Sequence, residues 1–222
     1  MELSSLITAS AWILPVVFAV TLHEAAHGFV AWRFGDDTAK AMGRVTFNPL
    51  KHIDPMGTVI LPGLLLLAHS PVLFGYAKPV PVDFHRLKPQ RLGMLLVAAA
   101  GPGMNIFLAL VSALFLHLGP ETTPENMSWL QLNLFHSLLI NCALALFNML
   151  PILPLDGGRV LRALLPNEAG NKYARTERYG MIIVIGLLML PPLIGINFFM
   201  NILAGVNEML ITAILFLTGH QA

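Results

Sequence analysis

Residues 12–32 read WILPVVFAVTLHEAAHGFVAW, an apolar run that carries His23, Glu24 and His27 in its second half. From Trp12 to Trp32 the surroundings read as helix. Residues four apart on a helix share a face, so the two imidazoles of this H-E-x-x-H motif come close enough together to hold one tetrahedral zinc. Glu24, one position on from His23, stands where it can activate water. The apolar run begins near Leu3, longer than the ~20 residues that cross a hydrocarbon core. It is also too long for a secretory signal and lacks a basic leader, so it is expected to stay in the mature protein. Ionisable groups inside a membrane helix are costly and point to function by default. The plainer alternative places all three just beyond the membrane edge, since Arg33 follows closely.

The rest of the chain has the same character. Of 222 residues, 56% are hydrophobic and 11% charged, against roughly 25% charged in an average soluble domain, and the mean hydropathy is +0.72. Apolar stretches recur along the whole length, so one membrane domain covering residues 1–222 is the economical count, with a core at 6–158 and accessory segments at 179–218. A net charge of +1 makes no case for a nucleic-acid partner, and none is expected. The single cysteine, Cys142, excludes a disulfide framework and a cysteine-based metal site.

Charge placement sets a topology. All 13 Lys and Arg residues fall in two windows, Arg33 to Arg91 and Arg159 to Arg178, whereas the 118–130 segment carries Glu121 and Glu125. By the positive-inside rule the basic windows face the cytoplasm, and the N-terminus and the 118–130 loop face outward. Crossings follow at Leu6 to Trp32, Gly93 to His117 and Trp129 to about Leu153. The stretch from Tyr179 to Thr218 has length for two more, divided near Pro191-Pro192. Met56 to Ala68 is short for a crossing: about 13 residues rise only about 20 Å as a helix. Basic residues on both sides favour a re-entrant segment, although a short span packed on other helices also fits. Val72 to Val82 is rich in β-formers but broken by prolines, and reads either as an edge strand or hairpin or as an extended loop. The fold class is therefore an all-α polytopic membrane protein of about five to six membrane segments, with a re-entrant piece and a β-hairpin after the first helix.

Two histidines do not complete a catalytic zinc site, which needs a third protein ligand and one position left for water. Asp156 is the clearest acid within the membrane layer and its margins. Pro151 and Pro154 break the preceding helix and Gly157-Gly158 frees the backbone beyond, so Asp156 lies on irregular chain, which is tolerated at membrane depth where it lines a polar cavity. His27 and Asp156 both precede an arginine closely, Arg33 and Arg159, and so share the cytoplasmic edge. Its other available role is capping the helix from Gly158 to Leu165.

His23-Glu24-Ala25-Ala26-His27 and the segment Asn148 to Gly157, which matches N-x-x-P-x-x-x-x-D-G, together resemble the site-2 proteases, intramembrane zinc metalloproteases. The resemblance covers the chain from the first to about the fourth membrane segment. It implies His23, His27 and Asp156 as ligands of one zinc ion, Glu24 as catalytic acid and base, and Asn148 as a residue that binds substrate or the oxyanion. Gly101-Pro102-Gly103-Met104-Asn105 is similar to a G-P-x-x-N element of the family's second core helix. It makes Asn105 a weaker candidate for the same substrate role, beside a plain reading as a small-residue packing face. A PDZ or CBS domain has no room here, so the chain looks like a compact member.

The expected activity is endopeptidase cleavage in or near transmembrane segments of membrane proteins. The bilayer and the substrate are the expected partners. The location would be an integral position in the cell membrane, with the site near the cytoplasmic side. Transport or sensing of zinc through the same ligands is the alternative, and Glu24 separates the two, because only a protease needs it for turnover. A substrate helix must unwind before hydrolysis, and pairing with an edge at Val72 to Val82 would satisfy its freed backbone groups.

Overall fold

The computed structural model describes residues 3–67, 77–120, 126–193, 195 and 197–220. All regular structure among them is helical. The order is α1 (Leu3–Arg33), α2 (Thr38–Ala41), a 3-10 turn at Pro49–Lys51, a π turn at Pro55–Ile60 running into α3 (Leu61–Leu67), α4 (Gln90–His117), α5 (Trp129–Asn148), α6 (Asp156–Leu164), α7 (Asn167–Ala174), α8 (Glu177–Leu193) and α9 (Phe198–Leu217).

Helices α1, α4 and α5 pack on one another as the core, α6 lies against α4, and α9 closes on α4 and α5. Small residues let these helices approach. Ala11, Ala19, Ala25 and Ala31 are buried along α1, and Ala109, Ala113, Leu138, Cys142 and Ile214 form a cluster between α4, α5 and α9. Large apolar side chains point outward instead, among them Ile13, Phe18, Phe107, Phe115 and Phe216. That inversion suits lipid as the solvent, where an exposed phenylalanine costs nothing.

Among the described residues, four helices are long and apolar enough to cross a membrane: Ser10–Arg33, Gln90–His117, Trp129–Asn148 and Phe198–Leu217. Length and composition thus account for four of the expected five to six crossings. The difference lies in α8, which holds 17 residues and continues through Pro191 and Pro192 rather than breaking there. The expected β-hairpin is not found among the described residues. Residues 77–82 form no strand, and residues 72–76 lie outside the described part. Pro79 and Pro81 have no N–H to give a ladder, and the chain here is tied to loops and side chains. The Lys78 N–H donates to His52 O at 2.9 Å, and Arg44 Nη2 donates to Lys78 O at 2.6 Å and Pro79 O at 3.3 Å. Asp36, fully buried, accepts the Asp83 N–H at 2.7 Å. Residues 77–83 therefore make a strap laid across the end of α1.

The chain reverses tightly between α5 and α6. A Cβ on Gly157 would collide with the Met149 carbonyl, and one on Gly158 would lie 2.5 Å from Leu153 N. Glycine at both positions lets the 149–155 loop fold back over the first turn of α6. On α8, Gly180 meets the Leu153 carbonyl in the same way.

Candidate metal centre

The helical spacing of His23 and His27 brings their Nε2 atoms to 3.0 Å of each other, both rings buried. The fold-back of the 149–155 loop puts Asp156 at the first position of α6, with its Oδ2 at 3.2 Å from His23 Nε2 and 3.4 Å from His27 Nε2. Leu155 occupies the N-cap position and no side chain caps the helix, so the capping role for Asp156 is not the one adopted. His23, His27 and Asp156 are the group of metal-ligand side chains that converges among the described residues.

The outer ring nitrogens decide what the inner ones can do. His27 Nδ1 lies 2.7 Å from the Val97 carbonyl, which can only accept. His23 Nδ1 lies 2.6 Å from Asn105 Oδ1. The Asn105 amide is oriented by its nitrogen, which donates to Ala19 O at 3.3 Å and Asn141 Oδ1 at 2.7 Å. Both Nδ1 atoms therefore carry the proton, and in the neutral rings both Nε2 lone pairs face inward. Two lone pairs and the buried Oδ2, which has no hydrogen-bond partner, meet with no proton to share. Such a convergence needs positive charge. Two nitrogens and one carboxylate oxygen suit zinc, which leaves a fourth tetrahedral position open. Protons can supply the charge instead. Burial pushes the Asp156 carboxyl up, but the His23 and His27 rings beside it outweigh burial and hold the group well below the usual carboxylate range.

α4 supplies the floor. A Cβ on Gly101 would lie 2.5 Å from His23 Nε2 and would also overlap the His27 ring. One residue on, Pro102 has no N–H for the Ala98 carbonyl, and in the same turn the Val97 carbonyl reaches His27. Small residues here do more than pack helices: they leave room for the donor atoms.

The remaining expected residues are placed differently. Glu24 Oε2 accepts the Val80 N–H at 2.7 Å, so its carboxylate lies under the strap. Asn148 ends α5 half-buried and its amide donates back along its own helix to Leu144 O at 3.0 Å. Asn105 is fully buried with its amide committed to His23, Ala19 and Asn141. Sequence reading missed Val97, Asn141 and Val80, because two of the three act through backbone groups and Asn141 bears no motif.

Comparison with known proteins identifies the family. The family model described as Peptidase family M50 matches residues 121–191. A Bacillus subtilis (strain 168) protein named "Putative zinc metalloprotease YwhC" is 40% identical over 183 residues, which span 81% of this chain and 80% of that one. Mycobacterial proteins named "Putative zinc metalloprotease Rip2" are 32% identical over 188 residues in Mycolicibacterium smegmatis and 31% over 201 in Mycobacterium tuberculosis (strain H37Rv). These matches span 85% and 88% of this chain, and 68% and 74% of the relatives. No solved structure matches the chain. With a relative this similar over four-fifths of both chains, a family model whose match includes Asp156 and four helices apolar enough to cross a membrane, the chain belongs to peptidase family M50, the site-2 proteases, and is an integral membrane metalloprotease.

Proposed function

We propose that this chain is a zinc-dependent endopeptidase that cleaves membrane proteins in or near their transmembrane segments, with His23, His27 and Asp156 as the metal ligands and Glu24 as acid and base. The observation that carries the reading is the meeting of three electron-pair donors, from α1 and from α6, within 3.0–3.4 Å of one another. Zinc held there supplies a Lewis acid for the scissile carbonyl and lowers the pKa of water towards about 7. Glu24 takes a proton from the attacking water and returns it to the leaving amine, so its charge is restored at each turnover. Asn148, at the α5 terminus beside the Asp156 loop, keeps one amide oxygen and one N–H for substrate. Asn105 serves the metal site through His23 rather than substrate, since its amide has no face left over.

Both basic windows lie on the side of the α1 end and α6, which supports a site near the cytoplasmic face of the cell membrane. The π turn and α3 form a re-entrant piece from that side, and α8, at about 26 Å, is a shorter fifth crossing. The whole chain acts as one protease domain, with 6–158 as core and 179–218 as accessory.

The test of the whole is cleavage of single-span substrates by purified protein, with and without a chelator. Glu24→Gln should keep one zinc per chain and lose at least ~10³ of the rate. A transporter would retain transport in that variant and cleave nothing in either form.

A further inference from the structure

The hydrogen bond from His23 is the first link of a buried polar chain that crosses all three core helices. His23 on α1 donates to Asn105 Oδ1 on α4, Asn105 Nδ2 donates to Asn141 Oδ1 on α5 at 2.7 Å, and Asn141 Nδ2 donates to Ser137 O at 2.8 Å and Ser137 Oγ at 3.2 Å. Ser137 in turn meets Ser112 Oγ at 2.8 Å. Asn105 is 0% exposed and Asn141 1%, so no solvent can replace a missing link. His27 has no such chain and rests directly on a main-chain carbonyl.

The sense of every link is forced from its far end. The Ser137 carbonyl only accepts, so Asn141 must turn its NH₂ that way and its oxygen towards Asn105. That oxygen, with the Ala19 carbonyl, draws the Asn105 NH₂ and leaves the Asn105 oxygen facing His23. A flipped Asn105 would set oxygen against oxygen at both Asn141 and Ala19. In an apolar interior that is not tolerated, and aligned links polarise one another.

We propose that Asn141 is a positioning residue for the metal ligand His23: acting through Asn105, it fixes which ring nitrogen carries the proton and so which lone pair faces the metal. The proposal rests on His23 being a zinc ligand. Without Asn141, Asn105 Nδ2 keeps only its 3.3 Å bond to Ala19 O, and the proton on His23 is no longer confined to Nδ1.

The test measures zinc affinity by chelator competition and the visible absorption of cobalt-substituted protein, on the full detergent-purified chain. Losing an outer partner of a metal-bound histidine typically weakens binding about 10–100-fold, which is expected for Asn105→Ala. Asn141→Leu should weaken it about 3–10-fold, as one step removed, and shift the cobalt bands. The double variant should bind no more weakly than Asn105→Ala alone, because both act on one link. A purely structural role would lower the unfolding temperature and leave the cobalt bands in place. Unchanged affinity and bands in folded Asn141→Leu, or multiplied losses in the double variant, overturn the proposal. If the leucine variant does not fold, Asn141→Ser, whose hydroxyl is too short to reach Asn105, carries the same expectation and the same overturning result. His23→Ala separates the two levels. If it retains full zinc affinity, the ligand assignment fails; if it loses zinc while Asn141→Leu does not, only the relay fails.

Discussion

The main-chain N–H of Val80 donates a 2.7 Å hydrogen bond to Glu24 Oε2. That bond joins the strap to the helix bearing the imidazoles, one residue beyond His23. A hydrogen bond to an ionised group contributes about 1.5–3 kcal/mol, enough to orient a carboxylate that has to meet water at one place. The strap is held for this from both ends, by Arg44 on the Lys78 carbonyl and Asp36 on the Asp83 N–H.

Val80→Pro deletes the donor while keeping the extended course already set by Pro79 and Pro81. Cleavage should fall about 10–100-fold, the equivalent of that bond, with zinc content unchanged. Val80→Ala keeps the N–H and should stay within a few-fold of the parent. Equal rates for the two variants would show that the amide does not orient Glu24.

Gly101 and Gly103 make a paired experiment two residues apart, on opposite sides of α4. A methyl group on Gly101 points into the space between the histidine rings, whereas one on Gly103 meets nothing within 4 Å. Gly101→Ala should therefore lose most bound zinc, read as metal per chain by mass spectrometry, and Gly103→Ala should lose none. Retention of full zinc by Gly101→Ala would mean that the rings can retreat from α4.

Arg91 holds the far end of the helix that carries Asp156. Its Nε and Nη2 donate to Ala163 O at 3.1 and 2.9 Å, and Nη2 also reaches Leu164 O and Leu165 O at 3.3 and 2.9 Å. These are carbonyls that a helix end leaves without intrahelical partners. Lysine offers a point charge in place of the planar fork, so Arg91→Lys should cost about 1–2 kcal/mol of stability. It should also loosen zinc binding, through the freedom given to α6. Thermal unfolding with and without zinc reads both effects.

What could be read from sequence here depended on whether the information was local. His23 and His27 were legible because four residues is a helical repeat, and Asp156 because two arginines mark a common depth. The extended chain near Val80 was legible as irregular, but its partners were not. Branched residues in Val72 to Val82 suggest a strand, while the prolines hand the backbone to Arg44, His52 and Glu24, which lie far away in sequence. Asn141 was invisible for a related reason. An asparagine in an apolar helix announces a polar contact without naming it, and only the packing of α4 on α5 identifies Asn105. The last crossings were ambiguous because α8 is apolar yet short, and composition does not say where such a helix stops.

Acidification should separate metal loss from unfolding. Zinc and protons compete for the same two Nε2 lone pairs, so zinc affinity should fall as pH drops, by up to ~100-fold per pH unit, one decade for each ring. Asp156 behaves oppositely. Its folded pKa lies below the unfolded carboxylate value, so its stabilising contribution is fully present above that unfolded value, about 3.9, and fades only as pH falls through the lower, folded one. Between pH 7.5 and 5 the protein should therefore release zinc, stay helical and folded, and recover full metal content on neutralisation. Circular dichroism and metal analysis on the same samples read the two properties side by side. Asp156→Asn removes the charge that pairs with the protonated rings, so its metal-free form should be less stable at pH 5 than that of the parent. Unfolding that coincides with zinc release in the parent would instead mean that the metal, and not the ion pairing beneath it, holds α6 against α1.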